Sequence, residues 1–102
     1  MSEIAEPASL TLDAVITHGD DQVFTIVDGE AVLMSVETGK YFKLDDIGTR
    51  IWALIEAPTA VGALCDQLTQ EFSVERAACE ADVLALLDRL LRNQLIRVAA
   101  SA

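Results

Sequence analysis

Residues 23–44 decide the fold: Val23-Phe24-Thr25-Ile26-Val27-Asp28-Gly29-Glu30-Ala31-Val32-Leu33-Met34-Ser35-Val36-Glu37-Thr38-Gly39-Lys40-Tyr41-Phe42-Lys43-Leu44. Two β-branched or apolar runs, 23–27 and 31–36, flank Asp28-Gly29-Glu30. Asp-Gly favours a tight hairpin because both central residues take positive φ, which Gly adopts freely and Asp tolerates. A second turn, Glu37-Thr38-Gly39, offers Gly for the left-handed position and leads into Lys40-Tyr41-Phe42-Lys43-Leu44. The simplest product is a three-stranded antiparallel meander with its last strand at an edge.

Downstream the apolar period changes from two to 3.6. Asp45 or Asp46 can cap a first helix carrying Ile47, Ile51, Trp52, Leu54 and Ile55 and ending before Pro58. Gly48 within it costs about 1 kcal/mol relative to Ala, which implies close approach of that helix to the sheet. Thr59 is placed to cap a second helix, whose stripe of Val61, Leu64, Cys65, Leu68 and Phe72 is single-sided and must lie on a core. Ser73 is placed to cap a third, with Glu75 in the first turn where the helix dipole favours an acid. At 100° per residue, Leu86, Cys79, Leu90, Val83, Leu87, Leu91 and Leu84 of this helix spread over about 160°. Either that arc is wedged wholly inside the core, or one flank of it stands open. Asn93 tolerates the helix-ending conformation, and Leu95-Ile96-Arg97-Val98 reads as a short extended coda.

Upstream, Leu12 to Thr17 is β-prone, and residues 1–10 read as a flexible acidic tail ahead of a single domain over 11–98. The order, three strands then three helices, is α+β: helices stacked on a small antiparallel sheet, the last two able to form a helix-turn-helix. The 102 residues suffice for one core and no second domain. Hydrophobic residues make up 52% of the chain, but its longest apolar runs are far short of the roughly 20 residues that span a bilayer. Met1 to Pro7 has acids where a secretory signal has bases, so a cytoplasmic location is expected. Formal charge is -10, and residues 1–39 hold eight acids and no Lys or Arg. Such a field repels phosphates, so neither nucleic acid nor an anionic membrane is an expected partner.

Catalytic constellations are absent. Ser-His and Cys-His catalysis need a base beside the nucleophile, and His18, the single histidine, lies in a Gly-Asp-Asp segment that reads as a turn. Cys65 and Cys79 fall on apolar helical positions, as buried free thiols do, and with His18 they form no metal-ligand spacing. Adjacent carboxylates at Asp20-Asp21 and Asp45-Asp46 point apart, and the five glycines form no phosphate loop. No enzyme activity, cofactor or metal is therefore expected. Binding remains, and the surface for it is the edge strand, whose outer N–H and C=O groups are unpaired. Lys40 and Lys43, the first positive charges in the chain, flank Tyr41 and Phe42 there. They either only guard the edge against aggregation or border a site where an extended peptide adds a fourth strand.

The run from Ser35 through Thr38-Gly39-Lys40-Tyr41-Phe42-Lys43-Leu44-Asp45-Asp46-Ile47-Gly48 to Ile51-Trp52 resembles the PqqD-like family. So do the following Thr59-Ala60-Val61-Gly62-Ala63-Leu64 and the helix at Ala81 to Leu87. The family pattern joins a Thr-Gly turn, an aromatic strand, a helix cap, a helix Gly and a Trp at fixed spacing, and the likeness covers about residues 22–98. Gln94 stands where the family usually has Gly, which leaves the helix stop to Asn93. Asp45-Asp46 replaces a commoner Asn-containing pair.

This resemblance implies a winged-helix-like fold that acts as a recognition element for ribosomally made peptides. The leader segment of a precursor would join the third strand in a groove bounded by the third helix, for presentation to a tailoring enzyme such as a radical-SAM protein, protease or cyclase. Quinone-cofactor and lasso-type peptide maturation are two such pathways. Lys40, Tyr41, Phe42 and Lys43 are the implied strand contacts, and Cys79, Val83, Leu86 and Leu90 are assigned to the helical wall. Two alternatives stand beside it. One is a winged-helix transcription regulator, although residues 73–93 carry four acids against three bases where a recognition helix is basic. The other is a domain that dimerises edge to edge through the same strand.

Overall fold

The computed structural model describes residues 10–99. The expected tail therefore falls outside it except for Leu10, which is half-buried against the core and belongs to the domain. In chain order the elements are β1 (Val15–His18), β2 (Gln22–Val27), β3 (Glu30–Ser35), β4 (Tyr41–Lys43), α1 (Asp46–Leu54), β5 (Thr59–Ala60), α2 (Val61–Glu71), α3 (Arg76–Arg92) and β6 (Ile96–Val98).

The meander forms as expected, with β3 between β2 and β4 in an antiparallel sheet. Asp28 and Gly29 take φ of 53° and 83°, the two positive values a tight hairpin turn needs, and Gly39 takes 73° at the second turn. That turn is closed by the Gly39 amide donating to the Ser35 carbonyl at 2.7 Å and the Ser35 amide to the Lys40 carbonyl at 3.0 Å. Ala31, Leu33 and Ser35 of β3 face inward and are fully buried. Three helices complete the α+β fold.

Asp45 is the cap of α1: its carboxylate accepts the Gly48 amide at 2.8 Å. Gly48 is required by this corner rather than by the sheet, since a Cβ there would stand 3.0 Å from Leu44 Cβ and 3.3 Å from the capping oxygen. Thr49 ties α1 to β3, its hydroxyl accepting the Ala31 amide at 2.8 Å.

A second sheet, ordered β5-β1-β6, gathers the segment from Leu12 and the coda into one antiparallel unit. Two expected caps are not formed. Thr59 does not cap α2; its hydroxyl turns back and donates to the Leu54 and Ala57 carbonyls. The first amides of α2 are taken instead by main chain, Val61 donating to the Ala14 carbonyl and Gly62 to that of Leu12, both at 2.9 Å. Ser73 does not cap α3. Val74 packs half-buried against the core, Glu75 is the extended cap residue without a side-chain bond, and the helix starts at Arg76. His18 ends β1 rather than lying in a turn; its ring stacks on Trp52 at 3.7 Å, and its Nε2 lies 2.8 Å from the Trp52 carbonyl oxygen.

The exit from α3 differs as well. Asn93 keeps a negative φ of -98°, and Gln94 takes the left-handed position at 62°. The main chain needs a residue there to send the Gln94 amide to the Leu91 carbonyl and the Leu95 amide to that of Leu90, the paired bonds that satisfy orphan helix carbonyls. Trp52, Ile16, Leu33, Ile51, Ile55, Leu64, Leu68, Leu87, Leu90, Leu95 and Ile96 fill the core between the sheets and helices. Cys65 and Cys79 are buried free thiols in contact across α2 and α3. Burial, and then the neighbouring Cys79, pushes the Cys65 thiol up to about 11.

Candidate binding groove

β4 pairs with β3 through Val32↔Lys43, Leu33↔Phe42 and Met34↔Tyr41, and among the described residues no strand covers its other edge. The ladder is anchored by bonds at Ser35–Lys40 and Ala31–Leu44. Hydrogen-bonded and non-bonded pairs alternate in an antiparallel ladder, so the N–H and C=O groups of Tyr41 and Lys43 point outward. The edge thus presents two free donors and two free acceptors at strand spacing.

Beside it opens a cleft of about 370 Å³. Lys43, Leu44 and Asp45 form one wall, Ile47, Gly48 and Ile51 of α1 the floor, and Asp82, Val83, Leu86 and Arg89 of α3 the opposite wall. Ile47, Asp82 and Val83 also border a smaller recess of about 70 Å³, which continues to Leu68, Val74, Ala78 and Cys79 between α2 and α3.

Of the helical positions assigned from sequence, Val83 and Leu86 line the main cleft and Cys79 the recess. Leu90 lines neither: it is fully buried and serves the core. On the helical wheel the buried face of α3 centres on Cys79, Leu90, Val83 and Leu87, and the cleft flank begins at Leu86 and continues outward through Asp82 and Arg89. Ile47, Ile51, Asp82 and Arg89 were not assigned to the wall. Asp82, Leu86 and Arg89 follow one another at offsets of four and three, the spacing of helical neighbours, and that row was the available signal.

Lys40 lies in the turn, while Tyr41, Phe42 and Lys43 form the strand itself. Tyr41 is 72% exposed, on the face away from the core, whereas Phe42 faces inward and is half-buried. The Arg89 guanidinium lies 5.7 Å from the centroid of the Phe42 ring, a cation–π distance that holds a positive charge across the gap between β4 and α3. Lys43 Nζ sits 3.3 Å from a Glu30 carboxylate oxygen. The cleft therefore combines an open main-chain edge, an apolar floor and, on each side, a cation beside an acid: Lys43 with Asp45, and Arg89 with Asp82. This arrangement suits an extended peptide with an apolar anchor and an acid nearby.

Over residues 30–96 the chain matches the family described as coenzyme PQQ synthesis protein D, PqqD. Among solved structures it is similar to TbiB1 in complex with the TbiA(beta) leader peptide, at 34% identity and a TM-score of 0.74, over 83% of this chain and 99% of that one. It also shares the fold of the PqqD truncation of Methylobacterium extorquens PqqCD, described as a functional and stand-alone recognition element for ribosomally synthesised and post-translationally modified peptides. There identity is 21% and the TM-score 0.71, over 86% of this chain and 94% of that one. No curated protein is a significant match.

Proposed function

Because the chain belongs to the PqqD family, we propose that it is a non-enzymatic binder of the leader segment of a ribosomally made precursor peptide, which it presents to a tailoring enzyme. The observation that carries this reading is the free edge of β4 lying beside a cleft walled by α3. The leader pairs with the outward groups of Tyr41 and Lys43 as a fourth strand, giving affinity through main-chain bonds that any sequence can make. Specificity comes from an apolar leader side chain set over Ile47, Ile51, Val83 and Leu86, with the recess beyond for its tip. Lys40, Lys43 and Arg89 favour acids beside that anchor. The solved complex of TbiB1, whose partner is a leader peptide, supports the reading. The tailoring enzyme is of the radical-SAM, protease or cyclase kind, and the encounter takes place in the cytoplasm. No helix among the described residues is long and apolar enough to cross a membrane.

The test is an amide NMR titration of the labelled chain with the synthetic leader of a precursor encoded beside it, duplex DNA serving as control. Saturable shifts on residues 39–44 and on Asp82, Val83, Leu86 and Arg89 are expected, with no response to DNA. Shifts confined to other surfaces, or a response to DNA alone, would overturn the assignment. Replacing both Lys40 and Lys43 by Glu should weaken an acidic leader, and unchanged affinity would remove the electrostatic part of the reading.

A further inference from the structure

The sheet has a second open edge, and it differs from the first. Among the described residues β2 pairs with β3 alone, and the ladder phase sends the N–H and C=O groups of Gln22, Phe24 and Ile26 outward. Val23, Phe24, Ile26 and Val27 are 46–52% exposed, so four large apolar side chains lie about half in solvent along one six-residue strand, Phe24 with its ring edge-on to Trp52 and His18. Edges left open in monomers are guarded by Lys, Pro or a bulge; β2 contains no Lys or Pro and pairs in unbroken register. The outer sheet face continues this patch in a shallow depression of about 180 Å³, lined by Val23, Phe24, Thr25, Val32, Met34 and Tyr41.

Charge selects the occupant. Asp20 and Asp21 precede the strand and Asp28 follows it, all exposed, and residues 1–39 hold no Lys or Arg. A second copy pairing antiparallel through β2 would set acids against acids, and the chain's own first residues, with Glu3 and Glu6, would do the same. We propose that the β2 edge docks a strand from another protein, about six residues long and apolar at alternate positions, with Lys or Arg at both ends. Bases about 23 Å apart would meet Asp21 and Asp28, the length of seven extended residues. The strand would extend the β2-β3-β4 sheet from the side opposite the candidate leader edge, so both edges can be filled at once. This goes beyond the function proposed above and does not depend on what occupies β4.

The probe is an end-blocked peptide, Lys-Lys-Val-Thr-Val-Thr-Val-Lys-Lys, compared with its counterpart in which every Lys is Glu. With the labelled chain, the Lys peptide is expected to shift amides 22–27 and slow hydrogen exchange at Phe24 and Ile26, and the Glu peptide to bind about tenfold more weakly. Asp20→Lys with Asp21→Lys should reverse that preference. Ile26→Lys, a change at a half-exposed side chain that leaves the turn intact, should abolish binding of the Lys peptide. Four results would each overturn the proposal: no binding, equal binding of both peptides, shifts confined to β4 and α3, or Phe24 and Ile26 amides already protected in the free chain. Sedimentation showing a dimer dissolved by Ile26→Lys would do so too, by making a second copy the occupant.

Discussion

The amide of Leu95 donates to the carbonyl of Leu90 across 3.0 Å, and both side chains are fully buried. The bond turns the chain out of α3 into β6, and it requires the intervening Gln94 to hold a φ of 62°. A residue with a Cβ is held there at a cost of about 1 kcal/mol. Gln94→Gly is therefore expected to stabilise the protein by roughly that amount, and Gln94→Val to destabilise it. Urea unfolding, with the midpoint moving and the slope unchanged, checks both.

The same corner restricts Gly19. A Cβ at that position would lie 2.7 Å from the Gln94 carbonyl oxygen, while the Gly19 amide donates to the Leu95 carbonyl at 2.9 Å. Gly19→Ala must displace backbone rather than a flexible side chain. A loss of about 2 kcal/mol is expected, within the range for strain of this kind. Gly62→Ala, whose Cβ would meet nothing closer than 3.4 Å, is the mild comparison in the same urea unfolding series.

Leu86 and Leu90, one helical turn apart, are expected to separate binding from stability. Leu86 is half-buried on the cleft wall, so Leu86→Glu should weaken leader binding by about tenfold or more and leave the fold intact. Leu90 is fully buried, so Leu90→Ala should cost about 2–5 kcal/mol. Binding by fluorescence anisotropy and stability by urea titration, measured on both variants, give opposite patterns if the groove is where the geometry places it.

The Cys65 thiol, raised by burial from its ordinary 9.0 to about 11, gives the protein an alkaline limit. Its folded pKa lies above the unfolded one, so its contribution is fully present below about pH 9 and is lost as the pH climbs towards 11. Stability should fall across that window, and Cys65→Ala should flatten the fall. At neutral pH the folded chain should resist a thiol reagent and react promptly once denaturant is added.

The meander and α1 were legible because their determinants are local. Asp28-Gly29 and Gly39 fix their turns by their own φ preferences, and Asp45 reaches only as far as Gly48. The second sheet was not legible, because a four-residue and a two-residue strand carry little pattern and Ile16 finds Val98 only through the tertiary fold. The missed α2 cap shares that cause: a side-chain cap is written in sequence, whereas the carbonyls of Leu12 and Ala14 meeting α2 are not. At the groove, periodicity gave the width of the apolar arc on α3 but not its rotation about the helix axis. That unknown rotation placed Leu90 on the wall and left Arg89 off it.

The order in which a ribosome delivers these parts matters. β2, β3 and β4 come from one short stretch closed by two tight turns, and such local pairings form quickly. The helical wall arrives much later, and its C-terminal end is tied down only when β6 meets β1. A nascent chain is therefore expected to carry its strand edge before the facing wall, and under the proposed function selectivity for a leader would begin only after Ile96 to Val98 have emerged.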